Sequence, residues 1–134
     1  MPIEYLIDEE RRVLEIVFLG AVRRDEIATI REHIERENRA ALAYGSIVDL
    51  RQGSTDLTTA ELRDVARGAR ENAWPLSRCA FVAPHDPSFL DLKLFELWSS
   101  RGPREYRVFR SLGEACAWLG LDRAGLCLEE IAKS

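Results

Sequence analysis

Apolar and polar positions along this chain repeat in two ways, and the alternation between them predicts its elements. Ile3-Glu4-Tyr5-Leu6-Ile7 places Ile3, Tyr5 and Ile7 on one side, the period of two expected of a half-buried strand. Residues 13–19 are apolar on nearly both sides, interrupted only by Glu15, and read as a strand inside a sheet that Gly20 ends. The charged link Asp8-Glu9-Glu10-Arg11-Arg12 joins the two as an antiparallel hairpin. The period then lengthens. Ile27, Ile30 and Ile34, followed by Ala41 and Leu42, keep the three-and-four spacing of a helix over about 25–43. Asp25 stands as its N-cap, and Glu32, Glu35, Arg36 and Arg39 form its solvated side. His33 belongs to the surface of that helix. Gly45 is placed to close it in a left-handed cap.

Beyond Gly45 the pattern repeats. Ile47-Val48-Asp49-Leu50 is a short buried strand running out into the polar loop Gln52-Gly53-Ser54-Thr55-Asp56. Thr58 and Glu61 have the spacing of a capping box, flanked by the staple pair Leu57 and Leu62. The helix they open buries Leu62, Val65, Ala66 and Ala69 and meets its far limit at Trp74-Pro75. Cys79-Ala80-Phe81-Val82-Ala83 is a further buried strand. Asp86 as N-cap and Pro87 as first helical residue start a third helix. That helix is too apolar for one stripe: Phe89 and Leu92 share one side, Leu90, Leu94, Leu97 and Trp98 another. Residues 106–110 form the last strand, with Tyr106 and Val108 on one face and Arg107 and Phe109 on the other. Their arginines suit a sheet edge. Ser111 and Glu114 make a second capping box before a short helix ending at Gly120, and residues 121–134 are a tail with a turn or two of helix. A helix between each pair of apolar strands means right-handed crossovers and parallel strands.

Composition narrows the class. The 134 residues are 46% hydrophobic and 31% charged, which suits one soluble domain with one core. The net charge of -4, with arginines interleaved among acids, argues against a nucleic-acid partner. Cys79, Cys116 and Cys127 share no metal-ligand or redox spacing and read as small buried hydrophobes in a reducing cytoplasm. Apolar runs such as residues 16–19 are far too short to cross a bilayer, so an integral membrane protein is not expected.

Parallel strands bring the ends of the loops after Leu50, Ala83 and Arg110 to one rim of the sheet, gathering Asp49, Arg51, Thr55, His85, Asp86 and Ser111. An acid–base pair of Asp49 and His85 could be built there, but no spacing demands it, and the nucleophile-elbow and dinucleotide patterns are absent. No catalytic residue, cofactor or metal is assigned. Asp49 and Arg51 read first as a local ion pair.

The order of these elements over residues 1–120 resembles the SpoIIAA-like superfamily, which holds the STAS domains and the CRAL-TRIO lipid-transfer fold. The resemblance is carried by the hairpin 5–20, by Ile47-Val48-Asp49-Leu50-Arg51, and by Tyr106-Arg107-Val108-Phe109-Arg110 running into Ala117-Trp118-Leu119. It implies an α/β fold with a mostly parallel five-stranded sheet, an N-terminal β-hairpin and about four helices. It also implies a non-catalytic regulatory module that binds a partner protein or itself. In STAS proteins of the sporulation-regulator kind a hydroxyl in the sequence Asp-Ser-(Ser/Thr)-Gly is phosphorylated after the third strand. The matching stretch here has Ser54, Thr55 and Thr58 without that tetrapeptide, so these are the phosphoacceptors the resemblance allows. Ligand or partner contacts are expected from Asp49, Arg51, His85, Phe89, Leu92, Phe95 and Trp98. Three fates for the third helix's surplus remain open: a homodimer or partner face, a cavity beneath it for a lipid-like molecule, or cover by Trp74, Trp98, Trp118 and the tail.

Overall fold

The computed structural model describes residues 2–71 and 77–133. Trp74 and Pro75, the expected limit of the second helix, lie outside the described residues. Strands β1 (Ile3–Asp8), β2 (Val13–Val22), β3 (Gly45–Thr55), β4 (Arg78–Val82) and β5 (Glu105–Phe109) form one sheet in the order β1-β2-β3-β4-β5. β1 is antiparallel to β2 and every other pairing is parallel. Between successive strands run α1 (Arg24–Asn38), α2 (Thr59–Glu71) and α3 (Asp86–Trp98). The helices α4 (Leu112–Leu119) and α5 (Leu128–Ala132) follow β5, and 3-10 turns lie at Arg39–Ala43 and Arg123–Gly125. Strands laid down in sequential order, with α1, α2 and α3 all on one face, give the three crossovers one hand.

Two cores lie on opposite faces. One collects Leu14, Phe18, Val48, Ile30, Ile34 and Leu92 beneath α1 and α3, continued by Leu62, Ala66 and Phe95 under α2. The other packs Val17, Ile47, Ala80 and Val82 against Leu112, Ala115 and Cys116 of α4 and Leu128 and Ile131 of α5. The segment after Gly120 therefore closes this second face. The alternation in β5 is as expected: Tyr106 and Val108 join the first core and Phe109 the second.

Several boundaries differ from the expectation, each for a local reason. β3 does not stop at Leu50. It continues through Arg51, Gln52, Gly53 and Ser54 to Thr55, so Ser54 and Thr55 lie in a strand rather than a loop. β2 is likewise longer and passes through Gly20, whose φ of 102° needs a residue without a Cβ. The two extensions pair with each other after a bulge, Gly20 opposite Gly53 and Val22 opposite Thr55. Gly53 permits this approach: a Cβ there would stand 2.5 Å from the Phe18 carbonyl oxygen. Gly45 is the first residue of β3 rather than a left-handed cap, because a 3-10 turn takes over from α1 at Arg39. The N-cap of α1 is Arg23, whose N–H donates to the Glu26 carboxylate at 2.9 Å, and Asp25 sits in the first turn. The N-cap of α3 is His85, because the Asp86 carboxylate turns instead to Arg110 at 2.5 Å.

The first capping box forms: Thr58 N–H donates to Glu61 at 2.9 Å while Glu61 N–H donates to the Thr58 hydroxyl at 3.1 Å. The second forms only in half: the Ser111 hydroxyl accepts from Glu114 N–H at 3.3 Å, but the Glu114 carboxylate takes the Ser111 hydroxyl at 2.9 Å instead of the backbone N–H. No helix among the described residues is long and apolar enough to cross a membrane.

Candidate functional site

The expected rim is divided by the sheet. Asp49 faces the α4–α5 side, 2% exposed, and its carboxylate takes both the Nε and Nη2 donors of Arg51 at 2.9–3.1 Å. The same carboxylate accepts Arg51 N–H, so the guanidinium and the strand end are held by one group. Thr55 turns the other way: its hydroxyl donates to Asp91 at 2.9 Å and its N–H donates to the Ser88 hydroxyl at 3.2 Å, fastening β3 to α3. Thr58 is the helix cap. Of the three hydroxyls proposed for the loop, Ser54 alone is not engaged this way. His85 is exposed and makes no hydrogen bond with Asp49. Arg110 spans Asp86 and the face of Phe89, with its guanidinium carbon 3.8 Å from the ring centre.

The third helix also faces otherwise than its apolar surplus suggested. Leu92 and Phe95 are buried, so the residues it turns outward are Leu90, Leu94 and Leu97, exposed by 60%, 39% and 66%. Trp118 and the tail cannot cover them, because both belong to the opposite core. Trp98 is half-buried under the Arg63 guanidinium, 4.9 Å from its ring centre.

What the structure adds is a cavity of about 420 Å³ on the first face, lying between α1, α2 and the sheet. It exists because α2 does not pack on α1. α2 docks on α3 through Leu62, Ala66 and Ala69 around Phe95, and Phe95 in turn meets Tyr106 and Phe81 edge-on at 4.8 and 5.7 Å. Across the gap, the Arg24–Asp64 ion pair at 3.1 Å reaches from one helix to the other. The floor is set by register. One row across the sheet reads Leu14, Ser46, Cys79, Tyr106, and the next reads Ile16, Val48, Phe81. The walls are Ile27, Ile30 and Ile34 of α1, Leu57 just before α2, and Leu62 and Val65 of α2. Gly68 also lines the space, and a Cβ placed on it would meet nothing within 4 Å. Leu92 and Phe95, expected to contact a ligand or partner, stand in this wall, whereas Asp49, Arg51 and His85 do not.

The first row is the polar one. Burial pushes the Tyr106 phenol up to about 12 against the pull of the Arg104 and Arg31 guanidiniums, and burial likewise raises the Cys79 thiol. Neutral hydroxyl and thiol groups therefore meet cationic arginines at this end of an otherwise apolar space. Arg104 Nη1 donates to the Leu42 carbonyl at 2.7 Å and Nη2 to the Tyr44 carbonyl, while its buried Nε donor has no acceptor among the described residues.

Sequence patterning did not find this site. Ser46, Cys79 and Tyr106 are far apart along the chain and come together only through strand register, and Arg31 and Arg104 resemble every other surface arginine. One signal was present: Gly68 interrupts a helix where alanine would be favoured by about 1 kcal/mol. A second residue missed is Glu15, fully buried on the opposite face, where one carboxylate oxygen accepts Cys127 N–H at 2.6 Å and the other has no hydrogen-bond partner among the described residues.

No protein-family model matches the sequence, and no curated protein does. Among solved structures, the chain is similar to an uncharacterized protein of the DUF3478 family from Shewanella loihica PV-4, described as having a SpoIIAA-like fold. The two share 15% identity and a TM-score of 0.55, over 87% of this chain and 93% of that one. The expected fold is thus the fold found: SpoIIAA-like α/β, with a mostly parallel five-stranded sheet.

Proposed function

We propose that this SpoIIAA-like chain is a non-catalytic binding module that takes a small, largely apolar molecule between α1, α2 and the sheet. The observation supporting this is the separation of α1 from α2, which leaves aliphatic and aromatic side chains lining open space instead of each other. The volume of about 420 Å³ falls in the range of small-molecule pockets, about 300–1,000 Å³. Interiors are otherwise filled to crystal-like density, and an apolar void of this size forgoes dispersion contacts that a ligand restores. Native mass spectrometry of freshly purified protein tests the reading, as does titration with an apolar fluorophore. Retained mass, or saturable binding at one site that Gly68→Leu abolishes, is the expected result. Binding unchanged by Gly68→Leu overturns it.

A second reading, a partner-protein or homodimer face, is favoured by the outward leucines of α3. Leu90, Leu94 and Leu97 stand on neighbouring turns, and burying each contributes roughly 1.5–3 kcal/mol. Light scattering behind size-exclusion chromatography tests it: the expected dimer becomes a monomer in Leu94→Glu. A wild-type mass equal to one chain at every concentration removes the homodimer.

A further inference from the structure

Charge is distributed unevenly along the cavity, and this specifies the ligand further than its volume does. Where α1 and α2 begin, near the C-terminal ends of the parallel strands, Arg24 is neutralised by Asp64 at 3.1 Å. At the opposite end, beside the first residues of β3, β4 and β5, the cations are Arg31 and Arg104, and neither has a carboxylate partner among the described residues. Arg104 is held by two backbone carbonyls, which fix its guanidinium without cancelling its charge. Its Nε donor is buried without an acceptor among the described residues, an unsatisfied group that an anionic ligand would satisfy. Ser46, Cys79 and Tyr106 lie in the sheet row that leads to it, so hydroxyl and thiol donors line the approach. From there to Arg24 the floor and walls are apolar: Ile16, Phe18, Val48 and Phe81 below, Ile27 and Leu57 above.

We infer that the cavity takes an amphiphile with one anionic oxygen-bearing head group, a carboxylate in the simplest case, seated at Arg104, Arg31 and Tyr106, its alkyl body running towards Arg24 and Asp64. This rests on the cavity reading above and adds polarity and orientation to it. With both Nη groups of Arg104 engaged by carbonyls, its Nε donor and the neighbouring Tyr106 hydroxyl are the donors that a carboxylate's two oxygens would meet. A neutral apolar molecule would leave the buried Arg104 donor unsatisfied, and a cationic amphiphile would be repelled from this end.

The test uses the intact chain with three probes of one chain length: dodecanoate, dodecanol and dodecyltrimethylammonium, each titrated by calorimetry below its micellar concentration. Dodecanoate is expected to bind about tenfold or more tightly than dodecanol, the size of one charge-assisted contact. Arg104→Met should remove that preference, bringing dodecanoate down to the affinity of dodecanol in the same variant. Because Arg104 also ties β5 to the end of the 3-10 turn, Arg31→Gln serves as a second variant: its side chain is exposed and holds no other element, and it too should narrow the preference. Equal affinity for dodecanoate and dodecanol, or a preference that survives both substitutions, overturns the anionic head group and leaves the apolar cavity standing. Preference for the ammonium probe overturns it as well. Binding of none of the three removes both the inference and the cavity reading beneath it.

Discussion

Under α4 and α5 the sheet presents Ala80, and the helix above it presents Ala115 and Cys116, so backbone meets backbone closely and the tail's Leu128 and Ile131 complete a dry layer. Beneath α1 and α2 the same sheet presents Phe18, Phe81 and Tyr106, and the helices above stand apart, joined across the gap by Arg24 and Asp64. Small residues let layers approach, and large ones facing each other hold them off. The difference teaches that one face of this sheet is closely packed while the other leaves interior volume open, and the proposed ligand reading rests on that open volume. The polar exceptions divide in the same way. Glu15 and Asp49 are sealed under the close-packed face, whereas the uncompensated arginines open onto the loose one.

The largest effect that tests this contrast comes from the same deletion on the two faces. Leu112→Ala, under α4, should destabilise by about 4 kcal/mol, and Leu62→Ala, beside the existing cavity, by about 2 kcal/mol, because fewer contacts are lost where space is already open. Urea unfolding of the two variants measures this, and equal losses would erase the distinction between the faces. Next, Asp49→Ala removes the acceptor of the Arg51 backbone N–H and of its Nε and Nη2, and the fall in stability should be about 2 kcal/mol, because the partly exposed guanidinium keeps water and Glu129 at 4.0 Å.

Glu15 gives the close-packed face a pH dependence of its own. Burial, opposed by the Cys127 N–H and Arg11, raises its carboxyl above the ordinary 4.5. Folding therefore favours the protonated acid, so its contribution is full below 4.5 and is given up as pH rises through the higher native value. Asp8 acts in the reverse sense: hydrogen bonds from Arg11 lower it from 3.8, so its contribution is lost only as pH falls below that. Wild-type urea midpoints should decline with pH above 4.5, and Glu15→Gln should flatten that decline while leaving the acid limb unchanged. A variant curve parallel to wild type would show that Glu15 does not titrate in this range. The smallest effect belongs to Gly68→Leu, which adds about 1 kcal/mol of helix preference while filling the loose face. A melting point raised together with loss of the apolar probe distinguishes a functional void from slack packing; a lowered one would mean that the side chain finds no room.

Much of the architecture was legible along the chain because its signals are local. The capping boxes at Thr58 and Ser111, the hairpin charges at residues 8–12 and the apolar strands each state their element within a few residues. Strand ends were not legible in the same way. Ser54 and Thr55 look like loop residues until β2 continues beside them, because an extended polar stretch becomes a strand only when a neighbour supplies its hydrogen bonds. The α3 residues were misplaced for a related reason. A helix apolar on two sides does not say which side the sheet takes, and packing assigned Leu92 and Phe95 inward and Leu90, Leu94 and Leu97 outward.

The sequence by itself determined the order of elements, their parallel pairing and the single hand of the crossovers, since periodicity, caps and short connections act over a few residues at a time. Tertiary structure alone decided that α2 would rest on α3 and not on α1, that Ser46, Cys79 and Tyr106 would share one row, and that Arg104 and Arg31 would line one cavity with no acid among the described residues to neutralise them. Those outcomes depend on register and on the distance at which bulky layers come to rest, and both are set by contacts between residues far apart in the chain.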